Sequence, residues 1–529
     1  MTLIQLYDTT LRDGAQYEGI SLSVDDKIAI TQRLDHLGVN FIEGGWPGSN
    51  PKDKEYFEIA KTLKLKNAVI TAFGSTRRTG VKASDDLNIK ALVSAETSVI
   101  TLVGKSSELQ VLEVLEVSLE ENLAMIYESI SYLKSLGKRV FFDAEHFFDG
   151  YKSNHEYSMK CLKSAESAGA EVLVLCDTNG GTLPTEITNI IQSVSSETNV
   201  KLGIHTHNDT DSAVAGSLAA IEAGVFQVQG TINGYGERCG NANLISIIAN
   251  LKLKMGIDCI TDEQMELLTD VSLQIAEIAN MRSIPSQPYV GSSAFAHKGG
   301  IHAAAVQKIE DSYQHIKPNM VGNGKRILVS ELSGRSNVLY KVGELGIEIK
   351  LSKDQARNLV NEVKEKENTG LQYEGAEASF EVLVRKSQSD YTRPFEVQEF
   401  MTVVQKHTKT NSDNTSIAGD LSSQVMLKVK VGNQIMHTAS DGNGPVNAID
   451  NALRKALLEF YPELEPLRLT DYKVRVVDGA DGTGAIVRVI IESTDGSTIW
   501  STVGASSNII TASLMALTDS MEYWLARNS

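Results

Sequence analysis

The short motif in the chain with the clearest chemical meaning is His205-Thr206-His207, which closes a short apolar segment. If that segment is a strand, residues i and i+2 point to the same side, so both imidazoles face one way. Two hydrogen-bonded histidines would explain such a pair equally well. However, the carboxylate of Asp13 and the carboxamide of Asn241 follow other short apolar segments. Two imidazoles and two oxygens suit a divalent cation, with zinc, manganese, magnesium and cobalt all compatible.

Residues 1–255 contain the elements that could bring these groups together, because β-rich segments alternate there with stretches of helical periodicity. The predicted strands are 3–8, 41–45, 68–73, 98–103, 139–144, 171–176, 201–206 and 225–231. We count eight strands and eight helices, which favours a closed (β/α)8 TIM barrel. An open Rossmann-type sheet is the alternative, but no GxGxxG motif follows the first strand. In a closed barrel, strand 8 lies beside strands 7 and 1, so the four groups should meet at the C-terminal end.

Two further ionisable residues follow predicted strands. Arg12 beside Asp13 could hold a carboxylate or stabilise an oxyanion, and the alternative is a structural salt bridge across the barrel. Glu145 follows strand 5 and could be a general base or a hydrogen-bonded wall residue.

Composition limits the class of protein. The chain has 529 residues, enough for about three domains at about 100–200 residues each. Its net charge of −17 argues against a nucleic-acid-binding protein, and no apolar segment is long enough to span a membrane. The 4 cysteines have no CxxC spacing and no targeting segment is visible, so we expect a reduced, cytoplasmic protein.

Several motifs together resemble a known family. DTTLRDGAQ, HTHND and GYGERCGNANL resemble the DRE-TIM metallolyase superfamily, and within it the Claisen-condensing isopropylmalate, homocitrate and citramalate synthases. FAHKGGIHAAAV (295–306) resembles the linker histidine motif of that branch, and the last segment resembles its regulatory domain. GGWPGSNPKD and RILVSELSGRSNV (326–338) are similar to the bacterial citramalate synthase group.

The resemblance implies a role for each matching residue. Metal ligands would be Asp13, His205, His207 and Asn241. Arg12 would stabilise the enolate or oxyanion, and Thr178 would contact the carboxylate of a 2-oxo acid. Glu145 would be the catalytic base with His302 as its partner, and Glu237 of the loop after strand 8 would help to organise the site.

The implied reaction is condensation of acetyl-CoA with pyruvate, followed by thioester hydrolysis to citramalate and CoA, a step towards isoleucine. One alternative is an isopropylmalate synthase that uses 2-oxoisovalerate, a step towards leucine. A second alternative is a retro-aldol lyase of the superfamily, but such lyases lack the regulatory domain that this chain is expected to have. A non-catalytic amino-acid sensor would not need the intact set of Arg12, Asp13, Glu145, His205 and His207.

The resemblance also divides the chain. We expect a catalytic barrel at 1–275, linker subdomains at 276–390 and an α+β regulatory domain at 391–529. Within the last part, 425–457 parallels 487–520, since each reads strand, turn, strand, turn, helix. Two pseudo-symmetric halves could frame an amino-acid pocket. The resemblance implies isoleucine as the effector of a citramalate synthase, leucine as that of an isopropylmalate synthase, and a homodimer.

Overall fold

The structure is a computed structural model that describes residues 4–299, 302, 305–306, 308–327, 329–330, 335–345, 352–406, 409–410, 416–417, 421–477 and 482–528. The chain forms two compact units. The first consists of Met1–Phe295 and His315–Lys325, and the second of Ala296–Gln314 and Arg326–Ser529.

Eight parallel strands close into a barrel in sequence order, which confirms the predicted (β/α)8 architecture. The strands are β1 Gln5–Asp8, β2 Phe41–Gly45, β3 Val69–Ser75, β4 Val99–Lys105, β5 Arg139–Glu145, β6 Val172–Asp177, β7 Lys201–Thr206 and β8 Gln227–Gly230. Closure is made by β1 and β8, which pair in register from Gln5 with Gln227 to Asp8 with Gly230. Both β3 and β4 run two residues beyond their predicted ends, to Ser75 and Lys105.

The strands are buried on both faces, which explains their nearly continuous apolar sequences. One apolar cluster, which includes Tyr7, Phe41 and Phe141, fills the barrel interior. A larger one lies between the strands and the surrounding helices. These helices are α1 Val24–Leu37, α2 Pro51–Ala60, α3 Leu87–Ser94, α4 Leu119–Ser135, α5 Phe147–Ser153, α6 His155–Ser167, α7 Pro184–Glu197, α8 Ala213–Glu222 and α9 Leu244–Leu253.

The described part of the barrel therefore has nine helices rather than the predicted eight, because β5 is followed by two. Asn154 separates them: its backbone is non-helical, and its side chain accepts a hydrogen bond from the backbone of Tyr157 to cap α6. Four of these helices are followed by a glycine with positive φ, a conformation that glycine adopts without strain. The angles are 93° at Gly38, 76° at Gly137, 95° at Gly169 and 104° at Gly224.

The first unit also contains α10 Asp262–Met265 and α11 Leu268–Ile278. In the second unit, the short strands β9 Ala296–His297 and β10 Arg326–Ile327 pair in parallel. Three helices then follow and share an apolar core that includes Val338, Leu359 and Phe380. They are α12 Arg335–Glu344, α13 Lys353–Asn368 and α14 Glu377–Lys386.

The last part of the second unit contains two antiparallel three-stranded sheets, ordered β11-β14-β15 and β16-β17-β18. The strands are β11 Glu396–Lys406, β12 Lys409–Thr410, β13 Ser416–Ile417, β14 Leu421–Val431, β15 Gln434–Gly442, β16 Arg468–Val476, β17 Val487–Thr494 and β18 Ile499–Ser506. Helix α15 (Pro445–Leu457) follows β15 and helix α16 (Ile509–Asn528) follows β18, so the predicted strand-strand-helix repeat is present. The two helices contribute to one core. Among the described residues, no helix has the length and apolar character needed to cross a membrane.

Candidate active site

A cavity of about 350 Å³ opens at the C-terminal end of the barrel strands. This is where TIM-barrel proteins carry their active sites. Seven of the nine residues assigned to the site from the sequence line it. They are Arg12, Asp13, Glu145, Thr178, His205, His207 and Glu237.

Three of these residues converge as a metal site requires. Asp13 Oδ2 lies 3.2 Å from His205 Nε2 and 3.9 Å from His207 Nε2, and the two ring nitrogens are 3.4 Å apart. All three side chains are buried. In the part of the chain that the structure describes, they form the one cluster of at least three His, Cys, Asp or Glu ligand atoms close enough to share a metal ion.

Asn241 joins this cluster through the backbone, because it forms an isolated β-bridge with His207. Its Nδ2 donates to the carbonyl of Tyr235 at 3.3 Å. Neither Asn241 Oδ1 nor His207 Nδ1 has a hydrogen-bond partner among the described residues, although both atoms are buried. Buried polar atoms without partners are rare and need an explanation. Together with the convergent nitrogens and the carboxylate, the free amide oxygen fits a divalent cation with mixed N and O ligands.

The loop that carries Asn241 depends on two glycines. Gly236 has φ +152°, and a Cβ there would lie 2.0 Å from Asn241 Nδ2. Gly240 has φ +90°, and a Cβ there would lie 2.0 Å from the carbonyl oxygen of Gly234. A side chain at Gly236 would therefore displace the Asn241 amide, and one at Gly240 would displace the backbone of the same loop at Gly234.

The site gives its ionisable groups different pKa values. Burial alone would raise the pKa of Asp13, but the charge of Arg12 and the hydrogen bond from His205 hold it well below its usual range. Burial also opposes the charged form of His205, yet Asp13 and Asp143 raise its pKa. Burial and the charge of His205 lower the pKa of His207 to about 4. His207 therefore presents a neutral imidazole near neutral pH, the form that binds a metal ion.

Arg12 is held in place by the buried carboxylate of Glu43. Its Nε lies 2.5 Å from Glu43 Oε1. The hydroxyl of Tyr7 donates to Glu43 Oε2 at 2.7 Å and lies 2.8 Å from Thr71 Oγ1 and 2.7 Å from Thr101 Oγ1. The salt bridge considered for Arg12 is thus present. Arg12 also lines the cavity, and its role towards a carboxylate or an oxyanion stays a prediction.

An aromatic wall adjoins Arg12. The guanidinium carbon lies 3.9 Å from the centroid of the Phe73 ring, a cation–π contact. Trp46 packs edge-on against Phe73, with the ring centroids 5.7 Å apart. The Trp46 indole N–H donates to Asn88 Oδ1 at 2.5 Å, and its backbone N–H donates to Asp53 Oδ2 at 2.8 Å. Hydrogen bonds thus hold both the backbone and the indole ring of Trp46 in place.

Glu145 forms an ion pair that the sequence did not indicate. Its Oε2 lies 2.6 Å from Lys105 Nζ, and both side chains line the cavity with about a quarter of their surface exposed (26% for Glu145 and 21% for Lys105). Across the same cavity, the hydroxyl of Thr178 accepts a hydrogen bond from the backbone N–H of His146 at 2.8 Å. An acidic and a basic group therefore face the space beside the proposed metal ligands.

Glu237 and His302 are the remaining predicted site residues. Glu237 lies at the mouth, where it pairs with Arg238 at 3.8 Å and its side chain is 55% exposed. His302 belongs to the second unit, where its ring stacks on Tyr313 with the centroids 4.3 Å apart. Parts of the two linker motifs, 300–301, 303–304, 328 and 331–334, lie outside the described residues. The role of His302 stays a prediction.

Sequence reasoning missed Lys105, Asp143, Trp46 and Phe73 among the cavity-lining residues. Lys105 was missed because the predicted β4 ended two residues too early. Its charged side chain directly after an apolar segment could have identified it as a residue at the end of a strand. Asp143 lies within β5, where the surrounding apolar residues concealed it. Burial and the charge of Glu43 raise its pKa to about 7.

Comparison with family models defines the class of protein. The HMGL-like model matches residues 3–281. The homocitrate synthase post-HMGL domain-like model matches 289–370, and the LeuA allosteric (dimerisation) domain model matches 374–525. The chain is thus an HMGL-like barrel followed by a LeuA-type allosteric domain.

Full-length relatives narrow the class. The (R)-citramalate synthase of Geobacter sulfurreducens is 51% identical over 528 residues, covering 100% of this chain and 98% of that protein. The (R)-citramalate synthase of Aquifex aeolicus is 50% identical, covering 99% and 98%. The chain belongs to the (R)-citramalate synthase family. A probable 2-isopropylmalate synthase of Methanopyrus kandleri is more distant, at 31% identity over 97% of this chain and 96% of that protein.

The hydroxyl of Tyr7 should be necessary for holding Glu43 in place. We expect Tyr7→Phe to lower the free energy of unfolding by about 1.5–3 kcal/mol, because a buried carboxylate loses a donor. The measurement is urea denaturation of the full-length chain.

Tyr56→Phe is the matched control, since its buried hydroxyl bonds to neutral Thr31 at 2.8 Å. It should lower the free energy of unfolding by only about 0.5–1.5 kcal/mol. Equal losses in the two variants would show that the Tyr7–Glu43 hydrogen bond contributes no more to stability than a hydrogen bond between two neutral groups.

Proposed function

We propose that this protein condenses acetyl-CoA with pyruvate and hydrolyses the thioester to (R)-citramalate and CoA. The observation that supports this most directly is the identity of 45–51% along essentially the whole chain with five proteins named (R)-citramalate synthase. The cavity supports it with a cation site, an arginine and a paired carboxylate around one space.

We propose that Asp13, His205, His207 and Asn241 hold a divalent metal ion, with manganese, magnesium, zinc and cobalt as candidates. A bound ion would act as a Lewis acid on the keto group of the 2-oxo acid. The unpartnered Asn241 Oδ1 and the close approach of the two histidine Nε2 atoms support this assignment.

Arg12 binds the 2-oxo acid and stabilises the alkoxide that develops on its keto oxygen. Its ion pair with Glu43 and its contact with Phe73 hold the guanidinium beside Asp13 before substrate arrives. Donors that are positioned in advance contribute most where charge develops during a reaction. The hydroxyl of Thr178, already oriented by the His146 N–H, contacts the substrate carboxylate.

Glu145 removes a proton from the methyl group of acetyl-CoA. The carbanion carbon then forms a bond to the keto carbon of pyruvate while the C=O π bond opens. The resulting alkoxide takes up a proton from solvent and becomes the hydroxyl of the product. Lys105 pairs with the Glu145 carboxylate and so orients it towards the cavity. His302 is the proposed partner of Glu145, and Glu237 helps to organise the mouth. Water finally cleaves the thioester and releases CoA.

We propose that the three parts of the chain, 1–275, 276–390 and 391–529, serve catalysis, linkage and regulation in a cytoplasmic homodimer. The LeuA allosteric (dimerisation) match at 374–525 supports a regulatory and dimer-forming role for the last part. We infer isoleucine as the effector, because the proposed product is a precursor of that amino acid.

Substrate choice and metal dependence are tested together by CoA release from acetyl-CoA with pyruvate, 2-oxobutyrate, 2-oxoisovalerate or 2-oxoglutarate. We expect the highest kcat/KM with pyruvate. Dialysis against EDTA should abolish the activity and added Mn²⁺ should restore it. A preference for 2-oxoisovalerate would contradict the proposed substrate, and full activity after complete metal removal would contradict the metal's role.

The base is tested by Glu145→Gln, which keeps the shape of the side chain but cannot accept the proton. Turnover should fall by about 10²–10⁴-fold while pyruvate binding, measured by calorimetry, persists. Glu171→Gln is the control, because it removes an ion pair outside the cavity, between Arg139 at the start of β5 and Glu171 just before β6. It should leave turnover unchanged. An active Glu145→Gln variant would exclude Glu145 as the base.

Regulation is tested by adding isoleucine, leucine or valine to the full-length enzyme during the CoA-release assay. We expect isoleucine to lower the rate most strongly, since its carbon skeleton is the one that the proposed pathway produces. Inhibition by leucine alone would instead favour a role in leucine synthesis. A rate that none of the three amino acids changes would contradict isoleucine as the effector.

A further inference from the structure

Gln229 on β8 lies between two side chains from other strands of the barrel, and it is fully buried. Its amide oxygen lies 2.9 Å from His205 Nδ1. Its amide nitrogen donates to Asp143 Oδ1 at 3.1 Å. One uncharged side chain thus connects a proposed metal ligand to a buried carboxyl group.

The hydrogen bond to His205 determines where the imidazole carries its proton. An amide oxygen can only accept, so His205 Nδ1 must be the donor. In the neutral ring, Nε2 then carries the lone pair. This is the nitrogen that faces Asp13 Oδ2 at 3.2 Å and His207 Nε2 at 3.4 Å. Gln229 therefore occupies Nδ1, and the nitrogen required for metal binding is the one that faces Asp13.

The hydrogen bond to Asp143 determines which end of the amide faces His205. Because Asp143 Oδ1 accepts from the amide nitrogen, the oxygen must point the other way. The other histidine has no equivalent contact, since His207 Nδ1 lacks a partner among the described residues. His207 is instead held through its backbone, whose N–H bonds to the carbonyl of Asp177 at 3.3 Å.

An amide suits this position better than a carboxylate. Glu43 and Asp143 are already buried in the barrel interior, and the nearby charge of Glu43 contributes to the raised pKa of Asp143. A third carboxylate between Asp143 and His205 would add like charge in the same low-dielectric space. Glutamine accepts from one neighbour and donates to the other without adding charge.

We propose that Gln229 is a positioning residue for the metal site: it holds His205 in the form whose Nε2 is free and so strengthens divalent-cation binding. The inference rests on the proposed function in that Asp13, His205 and His207 must hold the ion. Hydrogen-bond partners of metal-binding histidines typically change metal affinity by about 10–100-fold when they are removed.

The chain contains a matched control. Gln227 lies two residues earlier on β8, is also fully buried, and donates to Gln5 Oε1 at 3.3 Å. Its own amide oxygen has no partner among the described residues. Gln227→Met and Gln229→Met therefore remove the same buried amide from the same strand, but only Gln229 contacts His205.

The experiment measures Co²⁺ and Mn²⁺ binding to the full-length, metal-free protein by competition with a chelator. We expect Gln229→Met to weaken binding by about 10–100-fold and to change the visible absorption spectrum of bound Co²⁺. Gln227→Met should retain the wild-type affinity and spectrum. Thermal denaturation of both metal-free variants confirms that each is folded.

Two results would overturn the inference while leaving the proposed function intact. One is wild-type affinity and spectrum in Gln229→Met, and the other is an equal loss of affinity in Gln227→Met. Failure of the proposed metal site itself gives a different result. In that case the wild-type chain would bind neither ion more tightly than Asp13→Asn does.

Discussion

The buried carboxylate of Glu43 is the group on which the arrangement of the site depends. A buried charge is strongly unfavourable without partners, so the groups that neutralise it cannot move far from it. Arg12 supplies the opposite charge at 2.5 Å and Tyr7 supplies a hydroxyl at 2.7 Å. Because Asp13 is next to Arg12 in the chain, the same ion pair also restricts the carboxylate of the proposed metal site. Contacts of Tyr7 with Thr71 and Thr101 extend this restraint to β3 and β4.

Around this ion pair, chemically similar groups are given different protonation states by their surroundings. Arg12 and His205 hold the pKa of Asp13 well below its usual range despite burial, whereas burial and Glu43 raise that of Asp143 to about 7. Gln229 lies between these two environments and contacts both His205 and Asp143 without carrying charge. The barrel interior thus combines an apolar cluster with a network of buried polar groups below the cavity. Its members determine which atoms at the mouth remain available to the proposed substrate and metal ion.

The second unit is built on a different principle. Its final part repeats a strand-strand-helix pattern, and both helices contribute to one apolar core. In the barrel, buried polar groups hold the side chains that line the cavity. In these sheets, buried polar contacts instead join strands to the helix packed on them: Trp500 Nε1 donates to Ser520 Oγ at 3.0 Å, and Thr502 Oγ1 donates to the carbonyl of Ala516 at 2.8 Å. This division agrees with the matches of an HMGL-like model to residues 3–281 and of a LeuA allosteric (dimerisation) model to residues 374–525.

Much of this could be read from the sequence. Parallel strands buried on both faces give continuous apolar segments, so all eight strands were located, with errors of about two residues at their ends. The spacing of His205 and His207 placed both rings on one side of β7, and barrel closure brought Asp13 and Asn241 beside them. These features depend on the periodicity of apolar residues and on the order of the strands along the chain, and both can be read from a sequence. The short extra helix after β5 was missed, because Asn154 separates it from α6 through a single non-helical residue.

The sequence by itself thus determined the barrel, the repeat and the identity of the proposed metal ligands. Only the tertiary structure decided how those ligands are held. Gln229 and Asp143 are 86 residues apart in the chain, and Lys105 and Glu145 lie on different strands. Neither pairing has a periodic signal in the sequence. Whether a nitrogen is free, or a carboxyl group keeps its proton, depends on burial and on distances of a few ångströms between such strands.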